Sequence, residues 1–368
     1  MILHFLSDDI FSNYVIGQFS SPEMQSDFVV MSTTDKLENL QHSGKAIIVN
    51  PYHKESIRKL IGSLSNYSAI VLHGIFYPWC ETILRNVPED VKVAWEFWGG
   101  EVYGRKELVK GFHAPVTKMM YGVHNLFSKG QKKGWQLPVE LFQRVNYCLT
   151  AQREEFEYVK RTLGCPNIQH IWYTYYSIEE TIGELADLKC VGDNVLLCHN
   201  AFVESNIFDA MFRLGMPKNR KYLKNKVVIL PLSYGSSWVK NLVLKLSPLT
   251  FRYGVKPLTV FLPRKDYNRL LLDCSTMILP SYRPAGQGNV ITALWLGMRV
   301  YLSEKCISFG FFKRLGLSVF SFESDFRDYG CQKLSDEEVM HNRSILMDNF
   351  GRERILCACN EVVSKLNE

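Results

Sequence analysis

The sequence has no run approaching the roughly twenty apolar residues that a helix needs to cross a bilayer, so no membrane-spanning helix is expected. It has no Cys-x-x-Cys pair. Its ten cysteines stand apart at 80, 148, 165, 190, 198, 274, 306, 331, 357 and 359, which argues against a clustered zinc site and for reduced thiols. It has no Asp-x-Asp motif, so no metal ion held by one is expected. No short repeat or low-complexity segment occurs, which excludes solenoids and biased tracts. Residues 1–11 lack a basic stretch and reach Asp8 and Asp9 quickly, so a signal peptide is not expected.

What is present is an ordinary globular composition. Over 368 residues, 46% are hydrophobic and 22% charged, which excludes disordered, collagen-like and coiled-coil chains. The length allows two or three domains with sizeable cores. Short apolar runs alternate with amphipathic stretches. Strands are expected at 1–6, 28–32, 46–49, 69–72, 91–96 and 147–150, with helices at 56–64 and 153–163. A second series follows, with strands at 195–198, 226–230, 258–262, 276–279 and 299–302. Its helices are expected at 206–214, 237–246, 267–274 and 288–296. This alternation predicts an α/β protein with parallel sheets. A polar stretch near 175–193 divides it. The expected domains are 1–180 and 190–345, with a C-terminal helix in 346–368 that crosses back to the first domain.

The net charge of +6 is mild but uneven. Arg105, Lys106, Lys110, Lys118, Lys129, Lys132 and Lys133 face only Glu107 within 105–135, an excess equal to that of the whole chain. Phe112, Met119, Met120, Tyr121, Leu126, Phe127 and Trp135 are interleaved. Such a mixture suits an anionic membrane surface, and a solvated helix with core anchors fits it equally. Nucleic acid is not expected as a partner.

Ligands of open α/β sheets bind beyond the carboxyl ends of strands, so the chemistry is sought there. In the second half, Pro280-Ser281-Tyr282-Arg283-Pro284-Ala285-Gly286-Gln287-Gly288-Asn289 leads into an apolar helix. Gly286 and Gly288 allow close backbone approach, and the helix start through Asn289 offers free N–H groups to a phosphate or diphosphate. Arg283 adds a charge-assisted contact. Cys198-His199-Asn200 leads to Ser205 and Asn206, which simple helix capping also explains. Tyr234 follows another strand. In the first half, Trp95-Glu96-Phe97-Trp98-Gly99-Gly100-Glu101-Val102-Tyr103 combines aromatics, glycines and acids at a strand end. Glu101, beyond the glycines, is expected to project into a cleft as a general base. Asp9 and His73 lie at neighbouring strand ends.

Read in order, several signatures resemble those of glycosyltransferase family 56, the 4-acetamido-4,6-dideoxygalactose transferases of enterobacterial common antigen synthesis. They are His4-Phe5-Leu6 with Asp9-Ile10, His73-Gly74, Trp95 to Gly99 with Glu101 and Tyr103, Asn200 with Ser205-Asn206, Pro231 with Tyr234, and Arg283 with Gly286 and Gly288. The last third also resembles the donor-binding half of GT-B enzymes. The family pattern has Asp where this chain has Glu101, and is glycine- and charge-rich where this chain has Ala201-Phe202-Val203-Glu204. The acid that many retaining GT-B enzymes carry near 285–287 is absent, with Ala285 and Gln287 there instead.

The resemblance implies a GT-B fold of two Rossmann-like domains facing a cleft, and a hexosyltransferase. The donor would be a dTDP-linked amino-deoxy sugar, and no metal cofactor is expected. The acceptor would be a polyprenyl-diphosphate-linked saccharide, with the enzyme peripheral on the cytoplasmic face of the inner membrane. The implied catalytic set is Glu101, Asp9 and His73. Asn200, Ser205, Asn206, Tyr234, Arg283, Gly286, Gly288 and Asn289 would hold the donor, and Trp98, Gly99 and Tyr103 the acceptor. A UDP- or GDP-sugar transferase, and a non-catalytic scaffold of a polysaccharide-assembly complex, are the alternatives.

Overall fold

The computed structural model describes every residue except 35, 42, 106 and 129–133. Lys106, Lys129, Lys132 and Lys133 of the basic window therefore lie outside the described residues. The chain forms two compact units. The first comprises Met1–Val109, Lys133–Ser177 and Arg352–Glu368, and the second Lys110–Lys132 and Ile178–Gly351.

Along the first 177 residues the strands are β1 (Ile2–Ser7), β2 (Ser26–Met31), β3 (Ala46–Val49), β4 (Ala69–His73), β5 (Lys92–Glu96), β6 (Tyr147–Leu149) and β7 (Gln169–Ile171). The helices are α1 (Ile10–Phe19), α2 (Lys54–Ser63), α3 (Pro78–Asn86), α4 (Gly100–Tyr103), α5 (Pro115–Phe127) and α6 (Arg153–Leu163). The seven strands make one parallel sheet in the order β3-β2-β1-β4-β5-β6-β7. Strands β1 and β4 are buried along nearly their whole length, as in a sheet covered by helices on both faces, and His4 and His73 are the polar residues within that burial. Asp9 caps α1, accepting from the Phe11 and Ser12 amides.

Beyond residue 177 come α7 (Ile178–Ile182), β8 (Asn194–Leu197), α8 (Ile207–Gly215), α9 (Pro217–Arg220), β9 (Val228–Pro231) and α10 (Ser237–Thr250). They are followed by β10 (Val255–Leu258), α11 (Arg264–Leu271), β11 (Cys274–Leu279), α12 (Gln287–Trp295), β12 (Arg299–Leu302) and α13 (Ile307–Arg314). The chain closes with β13 (Val319–Ser321), α14 (Phe326–Tyr329), α15 (Asp336–Phe350) and α16 (Arg352–Asn367). The second sheet is also parallel, in the order β10-β9-β8-β11-β12-β13. Each unit is thus a doubly wound sheet whose strand order reverses between its first and fourth strands, β1 and β4 or β8 and β11. That reversal point is where such sheets bind ligands.

One segment leaves the sequence division. Residues 110–128 fall within the range expected for the first domain, yet α5 packs in the second unit. Val116, Met120 and Tyr121 lie against its core, and Asp209 accepts from the Val116 and Thr117 amides at 2.8 and 2.7 Å. A carboxylate satisfies the open N–H groups of a helix start and complements its dipole. The C-terminal α16 belongs to the first unit. Ile355, Cys359, Val362 and Leu366 enter that core, and Asn367 accepts from Ser68 Oγ at 2.7 Å.

A second difference is local. The apolar run at 258–262 reads as a strand, but β10 ends at Leu258 and the run continues as an exposed loop, with Val260 and Phe261 each more than 70% exposed. As an edge strand, β10 has little buried surface to mark it, so hydrophobicity alone misplaces it. The sequence pattern does not separate helices α1, α3, α13 and α15 or strands β7 and β13, and both of these strands are only three residues long.

Candidate active site

In the first unit the carboxyl ends of β1, β4 and β5 lie side by side. His4, His73 and Glu96 form a buried hydrogen-bonded chain across them. Glu96 Oε2 is 2.6 Å from His73 Nδ1, and His73 Nε2 is 2.9 Å from His4 Nδ1. His4 Nε2 is 3.2 Å from Ser26 Oγ, which itself donates to the Met24 carbonyl at 2.9 Å. With the Ser26 proton given to Met24, His4 Nε2–H donates to Ser26 and His73 Nε2–H donates to His4. His73 Nδ1 is then an acceptor, so Glu96 must supply the proton as a neutral acid. Burial favours this arrangement, pushing the Glu96 carboxyl well above its usual range and the His73 imidazole well below.

Glu101 stands on α4, whose start at Gly99 takes φ +100, a conformation that suits glycine. The carboxyl turns inward and is 5% exposed, where the sequence placed it projecting into a cleft. Its Oε1 accepts from the Ile75 and Trp98 amides and the Trp95 indole, each at 3.3 Å. Its Oε2 is buried without a hydrogen-bond partner. Burial outweighs these donors and raises the carboxyl to about 7. Trp98 packs edge-on against Phe11, Phe76 and Tyr175, and its Nε1 is also buried and unpartnered.

Other assigned groups of this unit are engaged internally. Asp9 spends Oδ1 on the α1 cap and Oδ2 on Ser7 Oγ at 2.9 Å. His73 has both ring nitrogens in the chain just described. The Tyr103 hydroxyl donates to Glu155 Oε1 at 3.0 Å and the ring is buried, so it faces α6. Arg105 is 3% exposed and donates to the Glu101 and Leu137 carbonyls at 2.7 Å. It is a structural cation and is not part of a charged outer surface.

In the second unit, the loops after β8, β9 and β11 meet at the reversal point. Gly286 caps α12 at φ +64, with no side-chain cap and no acid in the first turn. The amides of Gln287, Gly288 and Asn289 precede the first intrahelical donor, Val290 N to Gly286 O. Arg283 is half-buried beside this turn. Burial works to raise Glu204, yet the charges of Arg283 and His113 help hold that carboxyl below its usual range. Tyr234 is half-exposed, with its ring edge toward Phe202. Its carbonyl accepts from Ala201 N, and Ser236 N donates back to the Ala201 carbonyl. Gly235 is needed there: a Cβ would lie 2.5 Å from the Ala201 carbonyl carbon.

Asn200 keeps its amide in this loop, accepting from Phe202 N at 3.0 Å. Two donor-site assignments do not hold their assigned position. Ser205 Oγ donates to the Phe202 carbonyl at 2.7 Å. Asn206 is fully buried in the left-handed region at φ +55. Its side chain accepts from Ala114 N and donates to the Phe112 and Pro280 carbonyls, which ties the α5 entry to the end of β11. The residue that the sequence reading passed over is His199. Its ring packs against Gly286, where a Cβ would approach within 3.1 Å of Cγ. No local signal marks it, because the packing partner is far along the chain.

Among the described residues no group of three or more His, Cys, Asp or Glu side chains is placed to hold a metal ion. A groove of about 750 Å³ in the same unit is lined by Asp209, Arg213, Tyr282, Glu323 and Arg327 among others, but not by His199, Arg283 or Gly286.

No family model matches the chain, and no curated protein matches it. Solved structures do. A sucrose-phosphate synthase from Thermosynechococcus elongatus is 12% identical with a TM-score of 0.61, over 99% of this chain and 98% of that one. The trehalose-6-phosphate protein from E. coli bound with UDP-2-fluoro glucose is 8% identical with a TM-score of 0.62, over 100% and 99%. The lipopolysaccharide outer core galactosyltransferase WaaB is 10% identical with a TM-score of 0.57, over 99% of both chains.

The fold is GT-B.

At such low identity the likeness establishes the fold alone. Within the GT-B frame, the glycine-opened start of α12 and Arg283 occupy the reversal point of one Rossmann-like unit, and Glu101 and Trp98 the corresponding edge of the other.

Proposed function

We propose that the chain is a glycosyltransferase that takes its sugar from a nucleoside diphosphate. The observation that carries this is the α12 start: a glycine N-cap with no side-chain cap, beside Arg283 at the sheet's reversal point in a GT-B fold. In this reading the bond between the sugar and the diphosphate breaks, and the diphosphate leaves with the bonding pair. Arg283 and the α12 amides stabilise that charge, supplying electrostatic stabilisation without requiring a metal. The acceptor oxygen forms the new glycosidic bond and gives its proton to Glu101 Oε2, an oxygen that no hydrogen bond consumes and that is buried in this structure, so the step requires the acceptor to uncover it. A carboxyl near 7 suits a general base at neutral pH. Trp98 provides an aromatic surface for the acceptor.

The resemblance to glycosyltransferase family 56 favours a dTDP-linked amino-deoxy sugar and a polyprenyl-diphosphate-linked saccharide acceptor at the cytoplasmic face of the inner membrane. Structures of similar fold in complex with UDP-glucose or a UDP-sugar analogue favour UDP as the second reading. A thermal-shift panel with dTDP, UDP, GDP, ADP and CMP separates these. A ligand at about 100 times its Kd stabilises by about 2.7 kcal/mol, several degrees for a protein of this size. Selective stabilisation by dTDP is expected; a shift with UDP alone moves the donor to the second reading, and silence toward every nucleotide overturns the transferase.

The exposed face of α5 supports the membrane part. Met119, Val123, Leu126 and Phe127 follow helical spacing and all are exposed, Leu126 and Phe127 by 80% or more, with Lys118 beside them. Met120 and Tyr121, which the sequence grouped with them, pack on the core. Among the described residues no helix is long and apolar enough to cross a membrane. Flotation with anionic vesicles should recruit the protein, and Leu126→Ser with Phe127→Ser should abolish recruitment. Equal flotation of that double variant removes α5 from the membrane reading.

A further inference from the structure

We infer that His199 donates its Nδ1–H to a phosphate oxygen of the ligand held at the start of α12. The inference rests on the donor-site reading above and adds a residue to it. The tautomer follows from a short chain of bonds. Phe202 N–H donates to Asn200 Oδ1 at 3.0 Å, which fixes the orientation of that amide. Asn200 Nδ2 is therefore a donor, and it lies 2.7 Å from His199 Nε2. His199 Nε2 must accept, so the neutral ring carries its proton on Nδ1. That Nδ1 is buried with no hydrogen-bond partner, on a residue only 8% exposed.

A buried N–H without a partner is costly in a settled core and is expected to meet an acceptor. The surroundings identify the acceptor. Nδ1 lies 3.4 Å from where a Cβ of Gly286 would stand, so the ring is set against the N-cap of the nine-residue helix α12. The helix offers amide donors there and no acid. Arg283 adds positive charge, and the nearby Glu204 carboxylate lies 3.9 Å from His113 Nε2 and is held in its charged form partly by the Arg283 charge. Donors of three kinds therefore converge: helix amides, a guanidinium and an imidazole N–H. An oxygen-rich anion satisfies all of them. The ring stays neutral because burial, helped by the Arg283 charge, lowers it to about 3. His199 in the ligand-free protein is thus a neutral donor.

Two substitutions separate the ring positions. In His199→Asn the side-chain amide nitrogen reproduces Nδ1; in His199→Gln the amide reaches Nε2 and the Nδ1 donor is lost. Calorimetric titration with inorganic pyrophosphate, dTDP and UDP should find H199N within about threefold of the parent and H199Q weaker by about tenfold. Thymidine and uridine, which lack phosphate, should bind both alike. Long-range proton–nitrogen spectra of the unsubstituted chain should show the His199 proton on Nδ1 and a shift of that signal with pyrophosphate. If H199Q binds diphosphates as the parent does, the His199 inference fails and the donor site stands. If the parent binds neither pyrophosphate nor any nucleoside diphosphate, the donor-site reading fails and this inference with it. Should H199Q not fold, the spectra decide, and a proton on Nε2 or an unmoved Nδ1 signal overturns the inference.

Discussion

At pH 8, Glu101→Gln is expected to stabilise the protein by about 3 kcal/mol while removing most of the proposed transferase activity. The stability argument is one of linkage. The folded carboxyl titrates at about 7, above its ordinary 4.5, so folding favours the protonated form. The stabilisation from that protonated carboxyl is fully present below 4.5 and is lost as pH rises through 7. At pH 8 the parent carries a buried carboxylate whose Oε2 has no donor. The displacement from 4.5 to about 7 corresponds to about 3 kcal/mol, or roughly 6–12 °C in Tm. Glutamine copies the neutral acid and can keep Oε1 on the Ile75, Trp95 and Trp98 donors. At pH 5 the advantage should shrink below about 1 kcal/mol, because the parent is then largely neutral. His4 and His73, held neutral by burial, lose stability in acid, but they do so in both proteins and cancel in the difference.

The same substitution removes the oxygen assigned to take the acceptor proton, a loss of about 10²- to 10⁴-fold for a general base. Melting curves across pH 5–8 and turnover with a lipid-linked acceptor read the two effects separately. An E101Q protein that keeps turnover places the base elsewhere. One whose stability gain is the same at pH 5 and pH 8 denies the raised titration.

Arg283→Ala carries the second large effect. Losing a charge-assisted contact to a diphosphate costs about 2–3 kcal/mol, or roughly 30- to 150-fold in nucleotide affinity. Lysine should recover only part of it, since an ammonium lacks the planar fork that grips two phosphate oxygens. The loss should be confined to phosphorylated ligands and should diminish at high salt for this half-buried group. Titration of dTDP and UDP at two salt concentrations measures it. Unchanged affinity in R283A would leave the α12 start without its cation and remove Arg283 from the donor site.

These two residues differ in how much the sequence disclosed. Arg283, Gly286 and Gly288 could be read because strand, turn and helix are contiguous, and local order alone puts them at a strand end. Glu101 was visible as an acid beyond two glycines, but its inward direction was not. The φ +100 turn at Gly99 swings the carboxyl back onto the Trp95 indole, so a residue expected to face a cleft became a buried acid. Asp9, Ser205 and Asn206 illustrate the opposite error. Short polar residues at strand ends resemble ligand contacts in sequence, yet here they satisfy backbone groups. Asn206 bonds to Phe112 and Pro280, residues far from it along the chain.

The sequence by itself determined the α/β alternation, two parallel-sheet halves and the glycine-opened turn before α12. Those features depend on hydrophobic period and neighbouring residues. Only the tertiary structure decided that α5 packs in the second unit, that Arg105 and Tyr103 are internal, and that His199 carries its proton on Nδ1. Each of these depends on which distant group meets a polar atom or an apolar face. Burial makes the match obligatory, because a polar group shut away from water must find its partner wherever the fold brings one.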